Sequence, residues 1–147
     1  MTALAATLLT TALAVAAHGP DLRVSDLEAQ DRAASPGQLR VPTTVRNAGD
    51  RRAGASRTRY FLSLDRTKGG DVRLATARVA AVRAGRTRRG TAELRVPAGL
   101  KVGSWHVIAC ADALHTVRER REGNNCAATR GTVDVLPQTE PQIPPLP

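Results

Sequence analysis

The sequence predicts an all-β fold, a sandwich of short strands, and three observations predict it. Apolar and polar residues alternate with period two between Asp21 and Val135. Turn signals interrupt the alternation about every 8–15 residues, the rhythm of a sandwich. No long stretch keeps a helical period. The segment nearest to one, Val72 to Ala84, is bracketed by Gly70 and Gly85 and reads as one or two short strands.

Each element follows from its own alternation. Leu22 and Val24 alternate after Pro20. Leu39, Val41, Thr43 and Val45 alternate against Arg40, Pro42, Thr44 and Arg46, and Asn47-Ala48-Gly49-Asp50 then makes a turn. Tyr60, Leu62 and Leu64 form one face, with Arg59, Phe61 and Ser63 on the other. Thr67-Lys68-Gly69-Gly70 is a loop. Ala92, Leu94 and Val96 end at Pro97. Trp105, Val107, Ala109 and Ala111 share a face, which puts His106 opposite Trp105. Thr132 to Val135 closes the domain. Trp105 is the expected core anchor among Val, Leu and Ala. About 115 residues are enough for one such core.

Two flanking segments have different compositions. Residues 1–17 are apolar, uncharged and end in small residues, so they read as a cleaved secretory leader. The run of about 16 residues is shorter than the roughly 20 that span a bilayer. Its n-region lacks Lys and Arg, and an apolar first helix is the alternative. Residues 136–147, LPQTEPQIPPLP, hold five of the nine prolines and read as a disordered, polyproline-like tail. Leu136 to Glu140 approaches a wall-sorting pentapeptide but ends in Glu where that pattern has Gly. The domain proper is residues 20–135.

Composition limits function. The 147 residues carry a net charge of +9 with 2% aromatics, namely Tyr60, Phe61 and Trp105. That excludes an aromatic-girdled membrane barrel and argues against a stacking platform for single-stranded nucleic acid. Lys68 and Lys101 are the only lysines, so 20 of the 22 cations are Arg. A GC-rich genome would favour the same Arg and Ala bias. Cys110 and Cys126 are an even pair and fit a disulfide in an oxidising compartment, with two free buried thiols as the alternative. A metal site from these two and His115 would be one ligand short of structural zinc.

Several segments in order resemble the bacterial cell-adhesion-related domain, CARDB. They are Pro20-Asp21-Leu22, Val45-Arg46-Asn47-Ala48-Gly49, Tyr60 to Asp65 with Asp71 and Leu74, and Ala84-Gly85. Val96 to Leu100, Gly103-Ser104-Trp105 and the ending Cys110-Ala111-Asp112 through Val117, Glu119, Glu122 and Asn124-Asn125-Cys126 complete the series. Gly103-x-Trp105 stands where the family usually has Gly-x-Tyr, and the ending is the version with flanking cysteines. The resemblance implies an immunoglobulin-like sandwich of about seven strands on an exported, secreted protein. It implies adhesion only by name, because sandwiches host many functions.

The candidate sites are few. Asp112, Glu119, Glu122, Asn124 and Asn125 offer oxygen ligands of the kind calcium takes. Arg118, Arg120 and Arg121 lie among them, so a hairpin loop held by Asn-to-backbone bonds with outer Glu–Arg pairs is the competing reading. Asp65 and Asp71 flank a second loop. The arginine clusters are Arg51-Arg52, Arg57 with Arg59, Arg83 with Arg86, Arg88 and Arg89, and Arg118 with Arg120 and Arg121. Arginine suits carboxylate, sulfate or phosphate, with Arg57, Arg59, Arg86, Arg88 and Arg89 the binding candidates, and a solvated strand face is the competing reading. His18, His106 and His115 show no metal spacing, and no serine sits in a nucleophile elbow. The sequence thus predicts no enzyme and no required cofactor. It predicts a secreted module that engages an extracellular protein or an anionic glycan or wall polymer, nucleic acid being disfavoured. A spacer without a ligand is the alternative.

Overall fold

Leu22, Leu39, Leu62, Leu94 and Val107 are fully buried between two sheets. The computed structural model describes residues 18–138, so the leader at 1–17 and tail residues 139–147 lie outside it. Nine strands run in order: β1 (Leu22–Leu27), β2 (Arg32–Ser35), β3 (Gly37–Asn47), β4 (Ser56–Ser63), β5 (Val72–Val79), β6 (Thr87–Val96), β7 (Gly103–Cys110), β8 (Cys126–Ala128) and β9 (Val133–Pro137). One sheet has the order β1-β3-β6. The other has the order β2-β9-β7-β4-β5, with β8 also paired to β7. No helix occurs among the described residues.

The seven expected strands are all present. The two additional ones are β2 and β8, of four and three residues. Both are too short for an alternating signal. β9 continues to Pro137, pairing in parallel with β2, so two residues of the segment read as tail belong to the sheet.

Pro42 sits inside β3 and its position shows why it is tolerated. The β1–β3 ladder ends at Leu27↔Thr43, and the Pro42 carbonyl accepts the Glu28 N–H at 3.1 Å. A strand residue points its N and O to the same side. The missing donor therefore faces the end of β1, where no partner needs it.

Trp105 is buried and donates its indole N–H to the Lys101 carbonyl at 2.9 Å. Tyr60 is buried with its hydroxyl on Thr43 Oγ1 at 3.1 Å, and burial pushes its phenol up. Two residues differ from the alternation. Leu64 lies beyond the end of β4 and is 62% exposed. Phe61 faces outward from the sheet but is buried in a small second cluster with Ile108 and Cys110, and Lys68 Nζ lies 5.7 Å from its ring centroid.

Candidate functional site

The residues with the most polar contacts meet at one end of the sandwich. Asn47, wholly buried at the end of β3, accepts the N–H groups of Asp21 and Gly49, each at 3.0 Å. Its amide donates to the carbonyls of Arg51 and Val82 at 2.7 and 3.0 Å. Asp21 takes Arg120 Nε at 3.3 Å and Asn124 Nδ2 at 2.8 Å. Gly49 packs directly on the chain entering β1, and a Cβ there would lie 2.1 Å from the Gly19 carbonyl oxygen.

The segment between β7 and β8 is built into this network. Glu119 is buried and its carboxylate accepts the Leu22 N–H and, at 2.5 Å, the Asn125 amide. Burial pushes the Glu119 carboxyl up, against those two hydrogen bonds, and the charges of Glu122 and Asp112 push the same way. Glu122 moves down, because it accepts the Glu119 N–H at 3.0 Å and faces His115. Asp112 is fully buried with φ at 40°. Its carboxylate accepts Thr116 N–H, Thr116 Oγ1 and Val117 N–H at 3.1, 2.6 and 2.8 Å. Cys110 and Cys126 stand opposite each other in the β7–β8 register at disulfide distance, S–S 2.05 Å.

These contacts correct the expected Glu–Arg pairs. Glu119 is turned inward, Glu122 faces His115, and Arg120 goes to Asp21. Of the two Asn residues only Asn125 reaches backbone, donating to the Ala111 carbonyl at 3.3 Å. The carboxylates of Asp112, Glu119 and Glu122 are engaged with N–H and hydroxyl donors. Among the described residues no group of three His, Cys, Asp or Glu could hold a metal ion. Asp65 and Asp71 each accept an N–H of their own loop, from Thr67 and Gly69.

The arginine clusters lie on different sheets. Arg57 and Arg59 are on β4; Arg88 and Arg89 are on β6, and Arg86 precedes it in a turn closed by Arg86 N–H to Arg83 O at 3.1 Å. Arg88 Nε reaches the Ala81 carbonyl at 3.3 Å. The register adds two arginines the sequence reading passed over. Arg78 of β5 stands opposite Arg57, and Arg73 stands opposite Phe61. Five apart in β5, they would alternate to opposite faces, and the register shift between Tyr60 and Phe61 is what brings both to one face, so the sequence carried no signal for the pair.

The CARDB family profile matches residues 19–129. The chain belongs to the CARDB family. Solved CARDB domains share its fold. The crystal structure of one from a Pyrococcus furiosus protein, in complex with di-metal ions, is 20% identical, with 82% of this chain and 97% of that one covered and a TM-score of 0.59. Its solution structure gives 19%, 82%, 98% and 0.58. A domain, residues 272–376, of a "putative cell surface protein" from Methanosarcina acetivorans gives 15%, 80%, 92% and 0.56. No curated protein matches the sequence.

The CARDB motif residues that are scattered along the sequence are neighbours in space. Asp21, Asn47, Gly49, Glu119, Asn124 and Asn125 form the polar network just described. From the sequence Asn47 and Gly49 were expected only to make a turn and Asp21 had no assigned role, although the motif contained all three. His18 pairs with Asp50, which together with the Gly19 N–H draws the Asp50 carboxyl down to about 2. His106 faces away from Trp105, as alternation requires.

Proposed function

We propose that this CARDB domain works outside the cell as a secreted, non-catalytic module that holds an acidic partner through its arginines. The observation that carries the reading is the mismatch between cations and ion pairs. Arg40–Glu93 and Arg120–Asp21 are the two arginine ion pairs among the described residues, in a chain with a net charge of +9. An exposed cation without an internal partner is available to an external anion, and a guanidinium matches carboxylate, sulfate and phosphate alike. The Cys110–Cys126 pair supports an oxidising compartment.

A spacer role has its own support. The carboxylates of the 112–125 segment are spent on internal hydrogen bonds, which fixes one pole of the domain. The test is retention of the oxidised protein on immobilised polyuronate at low salt. Retention beyond that of a charge-matched basic control, lost on raising the salt, supports the binding module. Retention equal to the control leaves the spacer.

A further inference from the structure

We infer that the acid-binding site is the outer face of β4 and β5, and that its occupant is a linear acidic polysaccharide. The inference rests on the binding reading above and gives it a place. Arg57 and Arg78 face each other across the β4–β5 ladder, and Arg59 pairs with Thr76 in the next outward row. Arg73 stands beside Phe61, whose ring Lys68 covers. Arg57, Arg73 and Arg78 are exposed. None of these five cations takes part in an ion pair among the described residues.

Like charges directly opposite in a ladder repel. A carboxylate between Arg57 and Arg78 removes that repulsion. Arg59 Nε, Thr76 Oγ1 and His106 Nδ1, all three buried atoms, have no hydrogen-bond partner among the described residues. The other sheet also sets two exposed arginines opposite each other, Arg23 and Arg46, but it carries acids beside its cations. There Arg40 pairs with Glu93 at 3.7 Å, and Asp26 lies in one cross-strand row with Thr44 and Arg89.

The occupant follows from what the face lacks. Protein interfaces are anchored by aromatic or aliphatic groups that enter a partner's pocket. Here Phe61 and Ile108 are already buried, and Lys68 sits on the ring. Single-stranded nucleic acid needs free rings to stack on, yet Tyr60 and Trp105 are inside the core. An arginine-studded sheet face whose Phe61 and Ile108 are buried, with Leu64 exposed only beyond the end of β4, fits a chain read by charge and bidentate hydrogen bonds.

Two triple variants of equal charge test the assignment on immobilised polyuronate: R57A/R73A/R78A on the face and R86A/R88A/R89A away from it. The face variant is expected to bind at least tenfold more weakly at about 50 mM salt. Its log K against log salt slope should fall by roughly one per lost contact. The second variant should lose less than about threefold, the remainder left after a general loss of charge. Equal losses from the two overturn the site while leaving the binding reading intact. A wild-type protein held no better than a charge-matched control overturns that reading as well. Tighter retention of wild type on polyglutamate or DNA than on polyuronate overturns the polysaccharide. If R57A/R73A/R78A does not fold, R57K/R73K/R78K replaces it. This variant keeps the charge and loses the fork, so weaker binding with an unchanged slope supports the site, and unchanged binding overturns it.

Discussion

The Glu119 carboxylate accepts the backbone N–H of Leu22, 97 residues earlier in the chain. This contact fastens the β7–β8 segment to the start of the first strand. It also leaves a carboxylate in a site where burial opposes its charge. Glu119→Ala leaves the Leu22 N–H and the Asn125 amide without that acceptor, and an unsatisfied buried donor costs about 1–3 kcal/mol. Urea unfolding at neutral pH should show a loss of about 2–4 kcal/mol, with Glu119→Gln closer to wild type because its carbonyl still accepts one N–H. A wild-type midpoint for Glu119→Ala would show that Leu22 is held by other contacts.

Glu119 and Asp50 should give opposite pH dependences. The folded Glu119 carboxyl lies above its ordinary 4.5, so the folded state binds more protons just above that pH. Its contribution to stability therefore falls as pH rises from 4.5 through its raised value. Asp50 is drawn from 3.8 down to about 2, so its contribution is present above 3.8 and fades as pH falls toward 2. Carboxyl carbon shifts followed by NMR should give an Asp50 midpoint near 2 and a Glu119 midpoint above 4.5. Glu119→Gln should flatten the fall in stability above pH 4.5, and an unaltered profile would assign that fall to another group.

Gly49 is required for space. A Cβ there meets the Gly19 oxygen at 2.1 Å, the Pro20 carbonyl carbon at 2.7 Å and the Asp21 nitrogen at 2.8 Å, all backbone atoms. Backbone at this junction is held by Asn47, so it yields poorly. Gly49→Ala should destabilise by about 1–3 kcal/mol, the range for overpacking, in thermal or urea unfolding. Gly54→Ala is the control, since its Cβ meets nothing within 4 Å.

The cysteines close a segment with a sequence separation of 16, for which chain entropy gives about 3 kcal/mol. Intact mass of the protein purified without reductant should show no thiol that alkylates before reduction. The Cys110→Ser/Cys126→Ser variant should unfold at lower urea by about that amount. Alkylation of two thiols in the folded protein would contradict the bond.

Much of this was legible in the sequence because a half-buried strand writes its two faces at alternate positions. Trp105 with Val107 and Leu39 with Val41 needed nothing else. β2 and β8 escaped because four or three residues hold too few alternations. Phe61 and Leu64 escaped because a strand's end and a local cover such as Lys68 decide burial, and neither is written in the period. The arginine face was legible only in part. Arg57 and Arg59 are two apart in one strand, whereas Arg78 joins them through the ladder, a relationship between residues 21 positions apart that only register supplies.

Asp112 is where a calcium reading and a structural reading separate. Its two oxygens accept three hydrogen bonds from Thr116 and Val117, in a wholly buried position. A calcium ion bound through Asp112 would have to displace those donors, and its affinity would be reduced by their cost. Added Ca²⁺ at millimolar concentration, or a chelator, should therefore leave the melting temperature within about 1 °C, since a ligand that binds only the folded state raises stability in proportion to RT ln(1 + [L]/Kd). Asp112→Ala should lower stability by about 1–3 kcal/mol with or without calcium, by stranding the Val117 N–H and the Thr116 hydroxyl. A calcium-dependent rise in wild type that Asp112→Ala abolishes would show that the ion, and not the turn, is what Asp112 serves.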